Sequence, residues 1–191
     1  MKHFLLSTAL LISALTATAV AGTLEGKAPS GNSVVYVDTI PGKTFPAASK
    51  TVVISQRGLA YVPHITAIEQ GTTVDFQNDD SVQHNVFWPS ISGNKKDGHN
   101  MGTWPKGDKR SFKFDHAGVV PLLCNVHSEM SGFLIVSPTP YFAQTDSAGN
   151  FKIDNIPDGK YTLVLWHEGS KPQTKSVDVA GTGKVDFASA K

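Results

Sequence analysis

The pattern of hydrophobic and polar positions predicts strands along almost the whole chain after residue 21. Short stretches rich in β-branched and aromatic residues, several alternating in polarity, are separated by clusters of Gly, Pro, Asn and Asp. Apolar patterns with a 3.6-residue period are missing from this part of the chain, and only a short helical turn is expected, within residues 90–101. The predicted class is all-β, built from sandwiches. The predicted strands are residues 33–39, 50–56, 72–78, 84–90, 110–116, 119–126, 132–138, 149–154 and 160–168.

The first residues follow a different pattern. A basic head, Met1-Lys2-His3, is followed by a short apolar run and by the small-residue site Ala19-Val20-Ala21. This order predicts a cleaved signal peptide over residues 1–21 rather than a membrane anchor, because the apolar run is short and no basic stop signal follows it. The mature chain has no later apolar run long enough to span a bilayer. We therefore expect a protein that is periplasmic or otherwise exported.

Charge and cysteine content narrow the range of functions. Loss of Lys2 with the signal peptide lowers the basic count from 17 to 16, against 16 acidic residues. A net charge near zero gives no indication of nucleic-acid binding. The single cysteine of the chain excludes an internal disulfide, and an exported lone thiol is prone to oxidation unless it is buried or bound to a metal.

Two loop-like segments, residues 40–50 and 137–149, suggest domain boundaries. They bracket residues 48–138, which we predict to form one domain. Residues 139–191 are few for a stable core of their own. We expect them to join residues 22–47 in a second, discontinuous unit. The alternative is that residues 139–191 alone form a C-terminal domain.

The candidate chemistry lies in the stretch "LLCNVHSEMSG", where Cys124, His127 and Met130 share one loop between two predicted strands. His84 starts another strand, after an acidic turn. A thiolate, two imidazoles and a weak thioether form the ligand set of copper sites that transfer electrons. The alternatives are a buried structural cysteine beside ordinary histidines and a core methionine, or a zinc site with Glu129 as fourth ligand. Zinc is disfavoured because it gains little from a thioether.

These motifs resemble those of the cupredoxins, the type 1 blue copper proteins. The spacing in "CNVHSEM" is similar to the short ligand loop of amicyanin, and the likeness, which includes "GTTVDFQNDDSVQHNV", spans about residues 50–138. The resemblance implies a Greek-key β-sandwich of eight strands that binds one copper ion, cycling between Cu(I) and Cu(II). It also implies that Asn85 donates a second-shell hydrogen bond to the cysteine sulfur and ties the two loops together. The implied metal ligands are His84, Cys124, His127 and, in the axial position, Met130.

The C-terminal stretch "TDSAGNFKIDNIPDGKYTLVL" resembles a smaller β-sandwich module of the carboxypeptidase regulatory-like, or transthyretin-like, type. Such modules open with a strand pair similar to residues 22–38, which here precede the copper segment. The same order is found in exported bacterial proteins labelled methylamine utilization proteins. The resemblance implies that the copper domain is inserted between strands of this module.

We expect a carrier of single electrons between redox partners, which the sequence does not name, just as it does not fix the oligomeric state. The alternative is copper handling, by buffering or delivery. Enzyme activity is not expected, because hydrolase motifs and the His-x-His pairs of multicopper oxidases are missing from the sequence. His64 is expected at the surface, and His99 with Met101 could form a labile second copper site or belong to a turn.

Overall fold

A computed structural model describes residues 21–187, which fold almost entirely into strands. The predicted signal peptide lies outside the described residues, apart from Ala21. Residues 21–187 contain no helix with the length and hydropathy needed to cross a bilayer. The strands are β1 (Ala21–Lys27), β2 (Val34–Val37), β3 (Thr51–Gln56), β4 (Tyr61–Val62), β5 (Ile65–Glu69), β6 (Thr73–Asn78), β7 (His84–Trp88), β8 (His99–Trp104), β9 (Lys109–Lys113), β10 (Gly118–Leu123), β11 (Ser131–Ser137), β12 (Phe142–Gln144), β13 (Asn150–Pro157), β14 (Gly159–Trp166), β15 (Gln173–Val179) and β16 (Thr182–Asp186).

The all-β prediction is confirmed. The expected helical turn is a 3-10 turn at Lys95–Asp97, which Asn94 caps by accepting a hydrogen bond from Lys96 N. Most predicted strands lie within two residues of the observed bounds. The other seven strands lie outside those ranges, and most of them are either short or rich in polar residues and glycine: β1, β4, β5, β8, β12, β15 and β16.

The first sandwich consists of two sheets with strand orders β5-β11-β10-β7-β8 and β4-β3-β6-β9. They pack through one shared hydrophobic core. Alternation along β10 directs Val120 and Leu122 into this core, as expected for strands with one buried face. Trp88, Trp104 and Met130 are 1–2% exposed and belong to the same core.

Strand pairing brings His84 and the loop of residues 124–130 to the same end of this sandwich, which we call its polar end. Strand β10 pairs antiparallel with β7 at Leu123 and Phe87. The residues after Leu123 therefore run beside the beginning of β7, where His84 lies. Strand β10 also pairs along its length with β11, so the connecting loop, residues 124–130, returns at the same end.

The second pair of sheets has the strand orders β13-β1-β16 and β12-β2-β14-β15. Strand β1 lies between β13 and β16, and β2 lies between β12 and β14. Their core contains Leu24 and Val35 from the N-terminal strands together with Phe151 and Leu163 from the C-terminal ones. These pairings favour the discontinuous unit of residues 22–47 with 139–191, and this division stays a prediction.

A small hydrophobic cluster joins the two pairs of sheets. Its buried members are Val34, Ile65, Ile135 and Trp166. The rings of Phe133 and Trp166 lie 5.1 Å apart. The contact is therefore an apolar one, made from strands of both units.

We expect a fragment of residues 139–191 to be unfolded, because it lacks the strands that lie at the centre of both C-terminal sheets. A second fragment, in which a flexible linker joins residues 22–47 to 139–191, should fold cooperatively. Circular dichroism and urea titration check both, with residues 22–191 as the reference. A cooperative transition in the 139–191 fragment would instead support a separate C-terminal domain.

Candidate metal centre

Three potential ligand atoms converge at the polar end of the first sandwich. His84 Nδ1 and His127 Nδ1 are 3.1 Å apart, and Cys124 Sγ is 4.0 Å from His127 Nδ1. The ligand atoms of these three side chains all lie within 4.8 Å of one another. Across residues 21–187 this is the one group of three or more His, Cys, Asp or Glu side chains that could hold a metal ion.

Burial differs among the three side chains. His84 is fully buried and Cys124 is 6% exposed, whereas His127 is only half-buried. The core cluster that contains Cys124 also contains Met130. Met130 N donates a hydrogen bond to His127 O at 3.1 Å, which closes the loop as a turn. Of the three side chains His84, Cys124 and His127, the last is the one that reaches solvent, because the other two are buried.

The donor chemistry fits copper. One soft sulfur and two imidazole nitrogens suit both Cu(I) and Cu(II). Both histidines present Nδ1 to the centre of the cluster, and the second ring nitrogen of His84 is already bonded to a protein group. The three side chains that converge here could together hold one copper ion.

Asp80 is the group that bonds the second ring nitrogen of His84. Its Oδ2 lies 2.8 Å from His84 Nε2, while its carboxylate also accepts hydrogen bonds from Gly58 N and Leu59 N. Burial raises the pKa of Asp80, but the hydrogen bonds from Leu59, Gly58 and His84 outweigh it and bring the pKa down to about 2. Asp80 is therefore an anion at neutral pH. The sequence analysis noted the acidic turn but did not assign it a role at the site.

Asn85 connects the two segments that carry the cluster. Its Oδ1 accepts a hydrogen bond from Asn125 N at 3.2 Å, next to Cys124. Its side-chain amide donates to Asn100 Oδ1 at 2.9 Å and to Gly102 O at 2.8 Å. Both amide hydrogens are thus used, so the predicted hydrogen bond to the cysteine sulfur would have to come from another donor.

Tyr61 reinforces the same connection and was missed by the sequence analysis. Its hydroxyl donates to Leu123 O at 2.8 Å and lies 3.1 Å from Asn85 O, so it spans β10 and β7 just beside the cluster. Burial and, to a smaller extent, the charge of Cys124 raise the pKa of Tyr61. The hydroxyl therefore stays protonated and remains a donor. Nothing in the sequence near residue 61 marks this role, because its partners are distant in the chain.

The remaining histidines make other contacts. His64 is exposed and bonds Ser131 O and the Glu168 carboxylate, with a 2.8 Å distance to the latter. His99 opens β8 and packs against the rings of Trp88 and Phe112, whereas Met101 is in the core. In the described part of the chain, no group of ligand atoms forms around His99. His116 pairs with Asp97, and His167 lies beside Ser30 and Ser33.

A buried thiol and two imidazoles at one end of an all-β sandwich define a metal-binding protein of the copper type, and comparisons with known proteins support this class. Residues 48–137 match the model of the copper binding proteins of the plastocyanin/azurin family. Residues 126–186 match domain II of polysaccharide lyase family 4. That label differs from the carboxypeptidase regulatory-like type expected from sequence, and the matched range starts inside the loop of Cys124. No curated protein matches the chain in sequence.

Solved structures of amicyanin resemble part of the chain. A reduced amicyanin variant is 23% identical, with a TM-score of 0.42, over 52% of this chain and 97% of its own. A second reduced variant is 22% identical, with a TM-score of 0.43, over 56% of this chain and 99% of its own. The Cu(I) form of a third variant is 22% identical, with a TM-score of 0.43, over 52% of this chain and 97% of its own.

The segment that is similar to the plastocyanin/azurin family, residues 48–137, thus contains all three of the converging side chains. Proteins of this family bind one copper ion and carry electrons rather than catalyse reactions. The predicted resemblance to copper proteins is confirmed, and the expectation that this protein is not an enzyme agrees with the electron carriers of that family.

We expect Tyr61→Phe to destabilise the metal-free protein by about 1–3 kcal/mol, because it leaves the Leu123 and Asn85 carbonyl groups without this donor. Urea unfolding of the metal-free protein measures the difference. A change below about 0.5 kcal/mol would show that the hydroxyl does not hold the two strands together.

Proposed function

We propose that this protein holds one copper ion through His84 Nδ1, Cys124 Sγ and His127 Nδ1, with Met130 as the axial ligand, and carries single electrons between redox partners in the periplasm. The observation that carries the proposal is the convergence of the two Nδ1 atoms and the thiol within 4.8 Å at a buried end of the sandwich. The family match to residues 48–137 supports it.

When bound, copper supplies a one-electron couple between Cu(I) and Cu(II). The chain contributes a site whose donors suit both oxidation states and whose positions are fixed. Asn85 and Tyr61 bond the two ligand-bearing segments to each other. A rigid site of this kind limits the atomic rearrangement that accompanies a change of charge, which favours rapid electron exchange.

The burial of the ligand side chains favours one route for the electron, through the most accessible of them. His84 and Cys124 are shielded from solvent, and His127 is half-buried at the end of the sandwich. We propose that a redox partner docks at this end and that the electron passes through the His127 ring. Four protein ligands would leave no position open for a substrate, as expected for a carrier rather than a catalyst.

The second unit has a supporting role in this proposal. It contacts the copper domain through Val34, Ile65, Ile135 and Trp166. The ion pair between its Glu168 and His64 lies next to the copper loop, because His64 also bonds Ser131 O. We propose that residues 22–47 with 139–191 fix the orientation of the copper domain toward its partners.

We expect the mature protein loaded with Cu(II) to show an intense visible band from sulfur-to-copper charge transfer. The band should disappear in Cys124→Ser and bleach reversibly on reduction. In Met130→Leu, a matched control of similar volume, the band should persist because it arises from the thiolate and not from the thioether. A protein that binds copper without this band, unaffected by Cys124→Ser, would contradict the ligand assignment.

Electron carriage and copper delivery differ in whether the metal leaves the protein. We expect the band to recover fully over repeated cycles of reduction and oxidation in the presence of a Cu(I) chelator, because the ligands are buried. Visible absorbance and chelator colour measure retention and release in the same sample. Transfer of copper to the chelator within the first cycles would support copper handling instead.

A further inference from the structure

We propose that the Asp80 carboxylate positions His84 for copper and, by its fixed negative charge, lowers the reduction potential of the site. This inference rests on the function proposed above. It assigns a role to a residue that neither the ligand motif nor the family match identifies.

The first step of the argument concerns the proton on His84. The carboxylate can only accept a hydrogen bond, so its 2.8 Å contact with His84 Nε2 places the ring proton on that nitrogen. The lone pair of the neutral ring is then on Nδ1, the atom that faces His127 Nδ1 and Cys124 Sγ. Carboxylates bonded to metal-binding histidines fix the tautomer and ring orientation in this way.

The second step concerns how firmly Asp80 itself is held. Asp80 Oδ1 accepts from Gly58 N at 2.7 Å, and Oδ2 accepts from Leu59 N at 3.0 Å. Asp80 N donates to Asn78 Oδ1 at 2.9 Å. The carboxylate is thus anchored to the turn after β3, and the Asp80 backbone is anchored to the end of β6. The His84 side chain that it contacts is fully buried.

The third step concerns charge. The neighbouring Asp79 forms an ion pair with Arg57 at 2.9 Å, which offsets its charge. Among the described residues, the partners found for Asp80 are two backbone N–H groups and an imidazole, with no Lys or Arg. Its negative charge is therefore not offset by a cationic side chain. Such a charge stabilises Cu(II) more than Cu(I), because the divalent ion carries the larger positive charge.

The test compares Asp80→Asn with Asp79→Asn in the full mature protein. The amide oxygen of Asp80→Asn can still accept the hydrogen bond from His84, but the charge is lost. We expect the visible band to remain and the Cu(II) affinity to fall about 10–100-fold, with a smaller loss for Cu(I). A tenfold larger loss for Cu(II) than for Cu(I) raises the potential of a one-electron couple by about 59 mV.

Asp79→Asn is the matched control, since it removes one charge from the same turn without a bond to His84. Its potential should stay close to that of the unmodified protein. Equal potentials for the two variants would overturn the inference, provided that the unmodified protein shows the thiolate band. A missing band in the unmodified protein would contradict the proposed function instead.

A second measurement needs neither copper nor a substitution. Long-range ¹H–¹⁵N spectra of the metal-free protein at pH 8, above the ordinary histidine pKa of about 6.5, report which ring nitrogen of His84 carries the proton. We expect the Nε2–H tautomer. Observation of the Nδ1–H tautomer would overturn the positioning role, even if Asp80→Asn fails to fold.

Discussion

The metal centre depends on the contact between the start of β7 and the end of β10. Each strand by itself carries only part of the ligand set, with His84 on one and Cys124 after the other. Their pairing at Phe87 and Leu123 brings the parts together. Asn85 and Tyr61 then close the contact with hydrogen bonds to backbone atoms on the opposite segment. The site is therefore a product of sheet register, and a shift of one residue would direct the ligands to opposite faces.

Burial of this contact protects the thiol from oxidation and strengthens the electrostatic interactions around it. A thiol at 6% exposure and a fully buried imidazole are shielded from the bulk oxidants that an exported lone cysteine would otherwise meet. The same burial strengthens every electrostatic interaction in the site, including the one between Asp80 and His84. The half-buried His127 is the exception, and it gives the cluster its contact with solvent. His84 is thus shielded from solvent, whereas His127 is accessible to it.

The second pair of sheets is built from strands near both ends of the described residues. Strands β1 and β2 come before the copper domain in sequence, yet they pair with strands that come after it. The predicted insertion of the copper segment into this unit requires that the chain leaves and returns at neighbouring points. Thr139, at the return, donates to Val37 O at 2.7 Å, so the two crossing points are indeed adjacent. An apolar cluster around Trp166 then holds the modules together.

The sequence by itself determined the all-β class, most strand positions and the local ligand loop, because alternation and the spacing of Cys124, His127 and Met130 are short-range properties. It also singled out His84, through its resemblance to a known motif. The tertiary structure decided the rest. The polar strands β15 and β16 form because β14 and β1 offer them unpaired edges. Tyr61 acquires its role from partners that only folding brings near. Asp80 lies only four residues before His84, but the backbone N–H groups that hold its carboxylate belong to the distant Gly58 and Leu59. Hydrogen bonds across distant segments leave no periodic signal in the chain.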